Sequence, residues 1–128
     1  MRRGYSALFL ESSLETSLSN QVENQHITLE FGEVTPLPKE LEKEFEVSVI
    51  AYGNDGENEG YLVELPEGIA PYFKGWLPHI TVGLTKGAKA VDTATLDFKP
   101  LKKQFAVKAR LGYFLFTPDR KGKLVYEL

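Results

Sequence analysis

Two short segments of this chain repeat one pattern, and together they contain both of its histidines. Residues 26–29 read His-Ile-Thr-Leu, and residues 79–82 read His-Ile-Thr-Val. Alternation of polar and aliphatic residues is typical of a half-buried β-strand. Because residues i and i+2 of a strand share one face, each segment predicts an imidazole and a hydroxyl on one face and a buried aliphatic face opposite. The chain must therefore bring two such strands into one fold.

The remaining sequence predicts further strands and little helix. A short helix is predicted from Ser12 or Ser13 to Leu18, because Leu14 and Leu18 are four residues apart and serine favours the N-cap. Apolar runs or clean alternation predict strands at 5–10, 45–51, 61–65, 103–117 and 123–128. The polar residues 53–60 predict a hairpin turn between two of these strands. We therefore expect an α+β fold, mostly antiparallel, in one domain spanning residues 1–128.

Composition narrows the functional classes. The chain has 128 residues, no cysteine and a net charge of −3. The absence of cysteine excludes disulfides, thiolate zinc sites and a cysteine nucleophile. No apolar run approaches the roughly 20 residues that span a bilayer, and residues 5–10 are too few for a signal peptide, so we expect a cytoplasmic protein without a membrane partner. The negative net charge argues against duplex DNA as a partner, whereas the basic stretch 86–123 leaves room for an anionic nucleotide or an RNA end.

The two polar strand faces predict a catalytic site if they meet in one cleft. Near neutral pH one imidazole can accept a proton from water while the other donates a proton to a leaving oxygen. We therefore predict that His26 and His79 form an acid–base pair, without a basis for deciding which is the acid. Thr28 and Thr81 would donate hydrogen bonds to the phosphate oxygens of a phosphodiester. This chemistry requires no metal and no cofactor.

Two other interpretations of the repeated segments remain. Both could be structural, with polar side chains satisfied by hydrogen bonds on the pleated surface. Alternatively, the histidines and an acid such as Glu30 could bind a metal, although no His-x-His or His-Glu-x-x-His spacing is present. Glu30 stands where the second segment has Gly83. It could raise the pKa of His26 and favour the acid role, or it could pair with a lysine.

Four further residues are candidate substrate contacts: Trp76, Tyr72, Lys86 and Tyr113. The first two precede the second His-Ile-Thr segment on a predicted loop and could stack a base. Lys86 follows that segment and could meet a phosphate, although surface lysines need no special role. Tyr113 lies in a long β-rich stretch and could reach the cleft. A lone tryptophan beside proline is also common in a core.

The paired His-x-Thr segments resemble those of the 2H phosphoesterase superfamily. With their surroundings, at 4–10, 25–32 and 77–82, they look similar to the cyclic phosphodiesterase domain of plant and fungal tRNA ligases. The resemblance implies two antiparallel β lobes related by a pseudo-twofold axis around a central cleft. It also implies opening of a 2′,3′-cyclic phosphate on a nucleotide or RNA end, normally leaving a 2′-phosphate. These 128 residues are few for that superfamily, and we expect no attached ligase or kinase domain, so the resemblance implies neither a particular substrate nor a role in tRNA splicing.

Two alternative functions follow from the same residues. One is cleavage of cyclic oligonucleotide second messengers, as in some compact members of the superfamily. The other is a non-catalytic module that binds a nucleotide or an RNA end. A binder of this kind would need the threonines but not two titratable imidazoles. In each case we expect a monomer.

Overall fold

Antiparallel strands are the main regular elements of the structure, which is a computed structural model that describes residues 2–128. The strands are β1 Arg3–Leu10, β2 Asn20–Gln21, β3 His26–Glu33, β4 Glu44–Asn54, β5 Asn58–Glu64, β6 His79–Leu84, β7 Lys99–Leu115 and β8 Lys123–Val125. The helices of residues 2–128 are two 3₁₀ helices, Ala70–Tyr72 and Ala90–Thr95. The predicted mostly antiparallel sheet with few short helices is confirmed. No helix in this part of the chain has the length and apolarity needed to cross a membrane.

The strand order places the two His-Ile-Thr strands near opposite ends of one sheet. The order is β2-β6-β5-β4-β7-β1-β3, and β8 pairs with β7. The 17-residue β7 pairs with β4 along its first part and with β1 from Ala109 to Leu115. Strands β3 and β6 nevertheless contact each other, because the sheet curls. Curling therefore brings the two segments together although four strands separate them in the sheet.

The aliphatic faces of both His-Ile-Thr strands lie in the core, as the alternation predicted. Ile27, Leu29, Ile80 and Val82 are all fully buried. They pack in one cluster with residues from the other long strands, including Leu8, Val47, Val49 and Leu111. Burying such side chains contributes about 1.5–3 kcal/mol each relative to exposure, so this face holds β3 and β6 in register.

A β-bulge interrupts both strands at the same position. Where β1 pairs with β3, Ser6 lies opposite Glu30 and Ala7 opposite Thr28, so Leu29 is the extra residue. Where β5 pairs with β6, Glu59 lies opposite Gly83 and Gly60 opposite Thr81, so Val82 is the extra residue. A bulge breaks strict alternation because two residues oppose one on the partner strand.

The bulge in β3 changes the face on which Phe31 lies. Strict alternation places Phe31 on the buried face with Ile27 and Leu29. In the structure Phe31 is 65% exposed and stacks on Tyr5, with ring centroids 6.2 Å apart. The extra residue at Leu29 moves Phe31 to the other face of β3, where it lies opposite Tyr5. Phe31 therefore shares a face with His26 rather than with the core.

The predicted helix at residues 12–18 is also wrong, because distant side chains capture its backbone. The Gln25 side chain accepts from the Leu14 N–H at 2.7 Å and donates to the Leu14 carbonyl at 2.8 Å. The Glu59 carboxylate accepts from the Ser17 N–H at 2.8 Å. These bonds replace those that a helix would form, so residues 11–19 run as an irregular loop across the sheet.

The predicted hairpin is confirmed with a tighter turn. Strands β4 and β5 pair from Ser48 to Asn54, and only residues 55–57 connect them. The Asp55 carboxylate accepts from the backbone N–H groups of Glu57 and Asn58, at 2.9 and 2.7 Å. Gly56 adopts a φ of 87°, which glycine tolerates without strain. This turn positions Asn58, which reappears beside the candidate site.

Candidate active site

The four side chains singled out by the repeated pattern line one cavity. His26 and Thr28 project from β3, His79 and Thr81 project from β6, and all four border a space of about 650 Å³. Each of the four is half-buried. The alternation of the pleat thus places imidazole and hydroxyl together on each strand, and the curl of the sheet joins the two pairs.

A short connection from β2 joins the two His-Ile-Thr strands, β3 and β6, to each other. Asn20 and Gln21 pair with the end of β6, and the Val22 N–H donates to the Val82 carbonyl at 3.0 Å. Three residues later the Gln25 carbonyl accepts from the Leu10 N–H of β1 at 2.9 Å. The chain therefore leaves the edge of β6 and enters β3 almost at once, which limits how far the two histidines can move apart.

Both imidazoles are anchored in the same way. Nδ1 of His26 lies 2.8 Å from the carbonyl oxygen of Asn24, and Nδ1 of His79 lies 2.7 Å from that of Leu77. A carbonyl oxygen only accepts, so Nδ1 carries the proton in both rings. Nε2 is then the nitrogen that exchanges protons with a ligand, as an acceptor in the neutral ring and a donor in the charged one. In both segments the anchoring carbonyl lies two residues before the histidine.

His26 lies in an aromatic environment. The Tyr5 ring stacks on it with centroids 4.7 Å apart, and the Phe9 ring lies 5.4 Å away. Burial lowers the pKa of His26 below its ordinary value, the bond to the Asn24 carbonyl opposes this shift in part, and the charge of His79 adds to it. Neutral His26 is thus favoured near neutral pH.

This direction runs against the expectation that Glu30 would raise the pKa of His26. Glu30 borders the cavity, but burial of His26 is the dominant effect. Nor does Glu30 pair with a lysine, since the ion pair found in residues 2–128 joins Lys99 and Asp97. Burial of His26, where the rings of Tyr5 and Phe9 lie against it, therefore sets the direction of its pKa shift, and the carboxylate does not.

The Thr81 hydroxyl belongs to a buried polar network. Its oxygen lies 2.9 Å from the Thr93 hydroxyl oxygen, which accepts from the Asn58 amide nitrogen at 3.0 Å. The same amide donates to the Lys89 carbonyl at 2.8 Å. Sequence reasoning missed Thr93 and Asn58, because polar residues of these types are common in loops and turns and nothing local marks them. Only the packing of the Ala90–Thr95 helix against β5 and β6 reveals them.

The mouth of the cavity is apolar. Trp76, Val91 and Phe31 border it, and their exposed fractions of 76%, 73% and 65% exceed those of the other exposed large hydrophobic residues. Among the described residues that line the cavity, only Lys74 and Glu30 carry permanent charges. Exposed aromatic surface of this kind is typical of ligand binding rather than of folding. Trp76 therefore lines the same cavity as the two histidines, and Lys74, Phe31 and Tyr5 are lining residues that the sequence did not indicate.

The other three candidate contacts lie outside this cavity. Tyr72 packs against the core cluster from the Ala70–Tyr72 helix. Tyr113 is buried, and its hydroxyl accepts from the Leu37 N–H at 3.0 Å. Lys86 is exposed in the turn that follows β6. The sequence indicates which element carries each of these three residues, but packing decides whether its side chain faces the cavity.

The metal-binding alternative lacks its ligand set. Within residues 2–128 no three histidine, aspartate or glutamate side chains come together as a group that could hold a metal ion. His26, His79 and Glu30 therefore do not form the three-ligand site considered from the sequence.

Comparison with known proteins adds no assignment: no family model, no curated protein and no solved structure matches this chain. Its function is therefore inferred from the cavity and the side chains that line it.

Proposed function

We propose that this protein is a metal-independent phosphodiesterase that hydrolyses a 2′,3′-cyclic phosphate on a nucleotide or at an RNA end. The observation that carries the proposal is the pairing of two imidazoles across one cavity, each with Nδ1 held by a carbonyl and each followed by a threonine on the same face. A cavity with two such nitrogens and two hydroxyls suits a phosphate that must gain one oxygen and lose another.

In the proposed reaction His26 is the general base and His79 the general acid. The lowered pKa keeps His26 neutral, so its Nε2 accepts a proton from water as the water oxygen attacks phosphorus. The bond between phosphorus and the ribose 3′ oxygen breaks, and protonated His79 donates its Nε2 proton to that oxygen. The product carries a 2′-phosphate and a 3′-hydroxyl. Exchange with solvent restores both histidines to their starting states.

Thr28 and Thr81 would bind the non-bridging oxygens of the phosphate. A hydroxyl two residues after each histidine lies about 6.6–6.8 Å along the strand on the same face. A phosphate between the two imidazoles would therefore meet both hydroxyls. Hydrogen bonds to the developing negative charge stabilise the transition state more than the substrate.

We further propose that the sheet consists of two lobes related by a pseudo-twofold axis, as in 2H phosphoesterases. One lobe would be β3-β1-β7 and the other β6-β5-β4, with the axis between β7 and β4. The bulges at Leu29 and Val82 support this, because each falls one residue after the threonine of its segment. Repeated Nδ1 anchoring two residues upstream supports it as well.

The proposal is tested by incubating the protein with the four nucleoside 2′,3′-cyclic phosphates in excess chelator. We expect turnover, with the 2′-monophosphate identified by phosphorus NMR. His26→Ala and His79→Ala should each lower kcat by about 10²–10⁴-fold. Tyr72→Phe, outside the cavity, should behave as the unmodified protein. Full activity in both alanine variants on every cyclic substrate would refute the proposal.

The apolar mouth favours one alternative, cleavage of a cyclic oligonucleotide. Trp76, Phe31 and Val91 offer more apolar surface than a single base covers, while Lys74 is the only permanently cationic side chain among the described lining residues. Cyclic dinucleotides and trinucleotides belong in the same assay for this reason. Tight binding of a nucleoside 2′-phosphate without turnover of any substrate would instead identify a nucleotide-binding module.

A further inference from the structure

We infer that Asn58 and Thr93 are positioning residues that aim the Thr81 hydroxyl proton into the cavity, so that Thr81 acts as a donor to an anionic ligand. The inference rests on the proposed function in that the ligand is taken to carry a phosphate. Neither residue lines the cavity, and both would act through Thr81.

Because Thr93 and Asn58 are buried, each of their polar hydrogens must find an acceptor within the protein, and this requirement determines which group donates in each hydrogen bond. Thr93 is 0% exposed and Asn58 is 2% exposed. Buried polar groups pair almost without exception, because an unpaired one costs about 1–3 kcal/mol. No buried side-chain nitrogen or oxygen of residues 2–128 lacks a partner.

The network begins at a group that can only accept. The Lys89 carbonyl lies 2.8 Å from the Asn58 side-chain nitrogen, which identifies that atom as the amide NH₂. Its second hydrogen points to the Thr93 hydroxyl oxygen at 3.0 Å. Thr93 is therefore an acceptor from Asn58 and retains one proton of its own to donate.

The remaining step orients Thr81. The Thr81 oxygen lies 2.9 Å from the Thr93 oxygen, and either hydroxyl can donate. If Thr81 donated, the buried Thr93 proton would have no acceptor. With Thr93 donating, every group is paired and the Thr81 proton is left for the cavity. The relay thus runs from Lys89 through Asn58 and Thr93 to Thr81, and it ends on a hydroxyl ready to bind an anion.

Packing holds Thr93 in the position that the relay needs. A Cβ at Gly60 would collide with the Thr93 methyl group and with the Ile80 carbonyl, so glycine allows the Ala90–Thr95 helix to approach β5 closely. In β1 the corresponding position, opposite Thr28, is Ala7. No hydrogen bond within residues 2–128 engages the Thr28 hydroxyl in a comparable way. The Thr81 hydroxyl is therefore oriented by a hydrogen bond from the buried Thr93 side chain before a ligand binds, whereas the Thr28 hydroxyl has no such partner among residues 2–128.

The test uses variants that separate the hydroxyl of Thr93 from its methyl group. Thr93→Val keeps the packing and removes the relay, whereas Thr93→Ser keeps the relay and removes the methyl. The control is Thr95→Val, the same change on the same helix at an exposed residue outside the cavity. For each variant we would measure kcat/KM on adenosine 2′,3′-cyclic phosphate, calorimetric affinity for adenosine 2′-monophosphate, and the melting temperature.

We expect Thr93→Val to lower kcat/KM and nucleotide affinity by about tenfold, the effect of one hydrogen bond. Thr93→Ser and Thr95→Val should match the unmodified protein. Because Thr93 acts through Thr81, the double variant T81V/T93V should be no less active than T81V alone. Additive losses in the double variant, or a loss in Thr93→Ser but not in Thr93→Val, would show a packing role and overturn the inference.

The binding arm distinguishes failure of this inference from failure of the proposed function. If the unmodified protein binds adenosine 2′-monophosphate but turns over no substrate, catalysis is excluded, and weaker binding by Thr93→Val alone would still support the relay. If Thr93→Val does not fold, Asn58→Asp serves as the second variant. Its carboxylate would accept the Thr93 proton, so Thr81 would donate to Thr93 rather than to the ligand. Unchanged nucleotide affinity in that folded variant overturns the inference. Failure of the unmodified protein to bind the nucleotide overturns it as well.

Discussion

The Tyr5 ring lies against the imidazole of His26, with ring centroids 4.7 Å apart and ring planes inclined by 21°. This contact reduces the access of water to both groups. Burial raises the pKa of Tyr5 to about 12 and lowers the pKa of His26. Burial at this contact between β1 and β3 thus favours the neutral form of His26, which is the form that a general base requires.

Replacing Tyr5 with leucine should shift the acidic limb of the pH–rate profile to higher pH. In the proposed mechanism, activity requires neutral His26 and rises as pH increases through its pKa. Water admitted by the smaller side chain would stabilise the charged imidazole, so the pKa should move up toward the ordinary value of about 6.5. Tyr5→Phe retains the stack and should leave the limb in place. The measurement is the pH dependence of kcat/KM for a cyclic nucleotide. If the acidic limb of Tyr5→Leu lies at the same pH as that of the unmodified protein, the Tyr5 ring does not control the pKa of His26.

Trp76→Ala should raise KM for a nucleoside 2′,3′-cyclic phosphate while changing kcat little. The Trp76 side chain is 76% exposed at the mouth of the cavity, where it can stack a base without touching the phosphate. Stacking contributes about 1–3 kcal/mol per base, which corresponds to roughly 5- to 150-fold in KM. Steady-state kinetics should show the effect, and Tyr72→Phe serves as the aromatic control outside the cavity. An unchanged KM in Trp76→Ala would remove this residue from the substrate site.

Gly83→Ala should destabilise the fold by about 1–3 kcal/mol, as overpacking of a tight contact does. A Cβ at Gly83 would overlap the Thr16 side chain, which packs over β6 from the 11–19 loop. The cost should fall when the same change is made in a Thr16→Gly background, because that background removes the clash. Glu30→Ala, at the matching position of β3, should stay within about 0.5 kcal/mol. Urea denaturation of the four variants tests this, and an equal cost in both backgrounds would place the strain elsewhere.

Glu59→Gln should destabilise the protein at neutral pH and much less in acid. Burial alone would raise the pKa of Glu59, but hydrogen bonds from Thr16, Tyr52 and Ser17 outweigh it and hold the pKa below its ordinary value. The folded state therefore binds a proton less readily than the unfolded state. The stabilisation is present above the unfolded pKa and is lost as pH falls through the lowered folded value.

We expect a loss of about 1–3 kcal/mol in Glu59→Gln at pH near 7, the cost of weakening hydrogen bonds to a buried charged group. Denaturant titrations of both proteins from neutral to acidic pH should show the difference shrinking as the carboxylate becomes protonated. A difference that stays constant over that range would mean that the charge of Glu59 contributes nothing to holding the 11–19 loop.

The grouping of side chains in the candidate site was predictable from sequence because strand alternation is a local rule. His26 and Thr28 share a face since they are two residues apart, and the same holds for His79 and Thr81. That both pairs line one cavity agrees with the expectation that the two polar faces would meet. The buried aliphatic faces were predictable for the same reason.

The errors arose where contacts between distant residues override local pattern. The 12–18 segment has helical spacing of leucines, but Gln25 and Glu59 bond its backbone. Strict alternation along β3 would bury Phe31, but the bulge at Leu29 places it on the opposite face. A local pattern carries no information on either event, because both depend on partners more than ten residues away or on a neighbouring strand.

The sequence by itself determined which side chains stand together on each His-Ile-Thr strand and which aliphatic residues bury beneath them. Only the tertiary structure decided what surrounds those pairs: Tyr5 on His26, the relay through Thr93 on Thr81, and the apolar mouth formed by Trp76 and Phe31. The physical reason is the range of the interactions. Pleat geometry acts between residues i and i+2, whereas a stacked ring or a buried hydrogen bond depends on register, bulges and curl across the whole sheet.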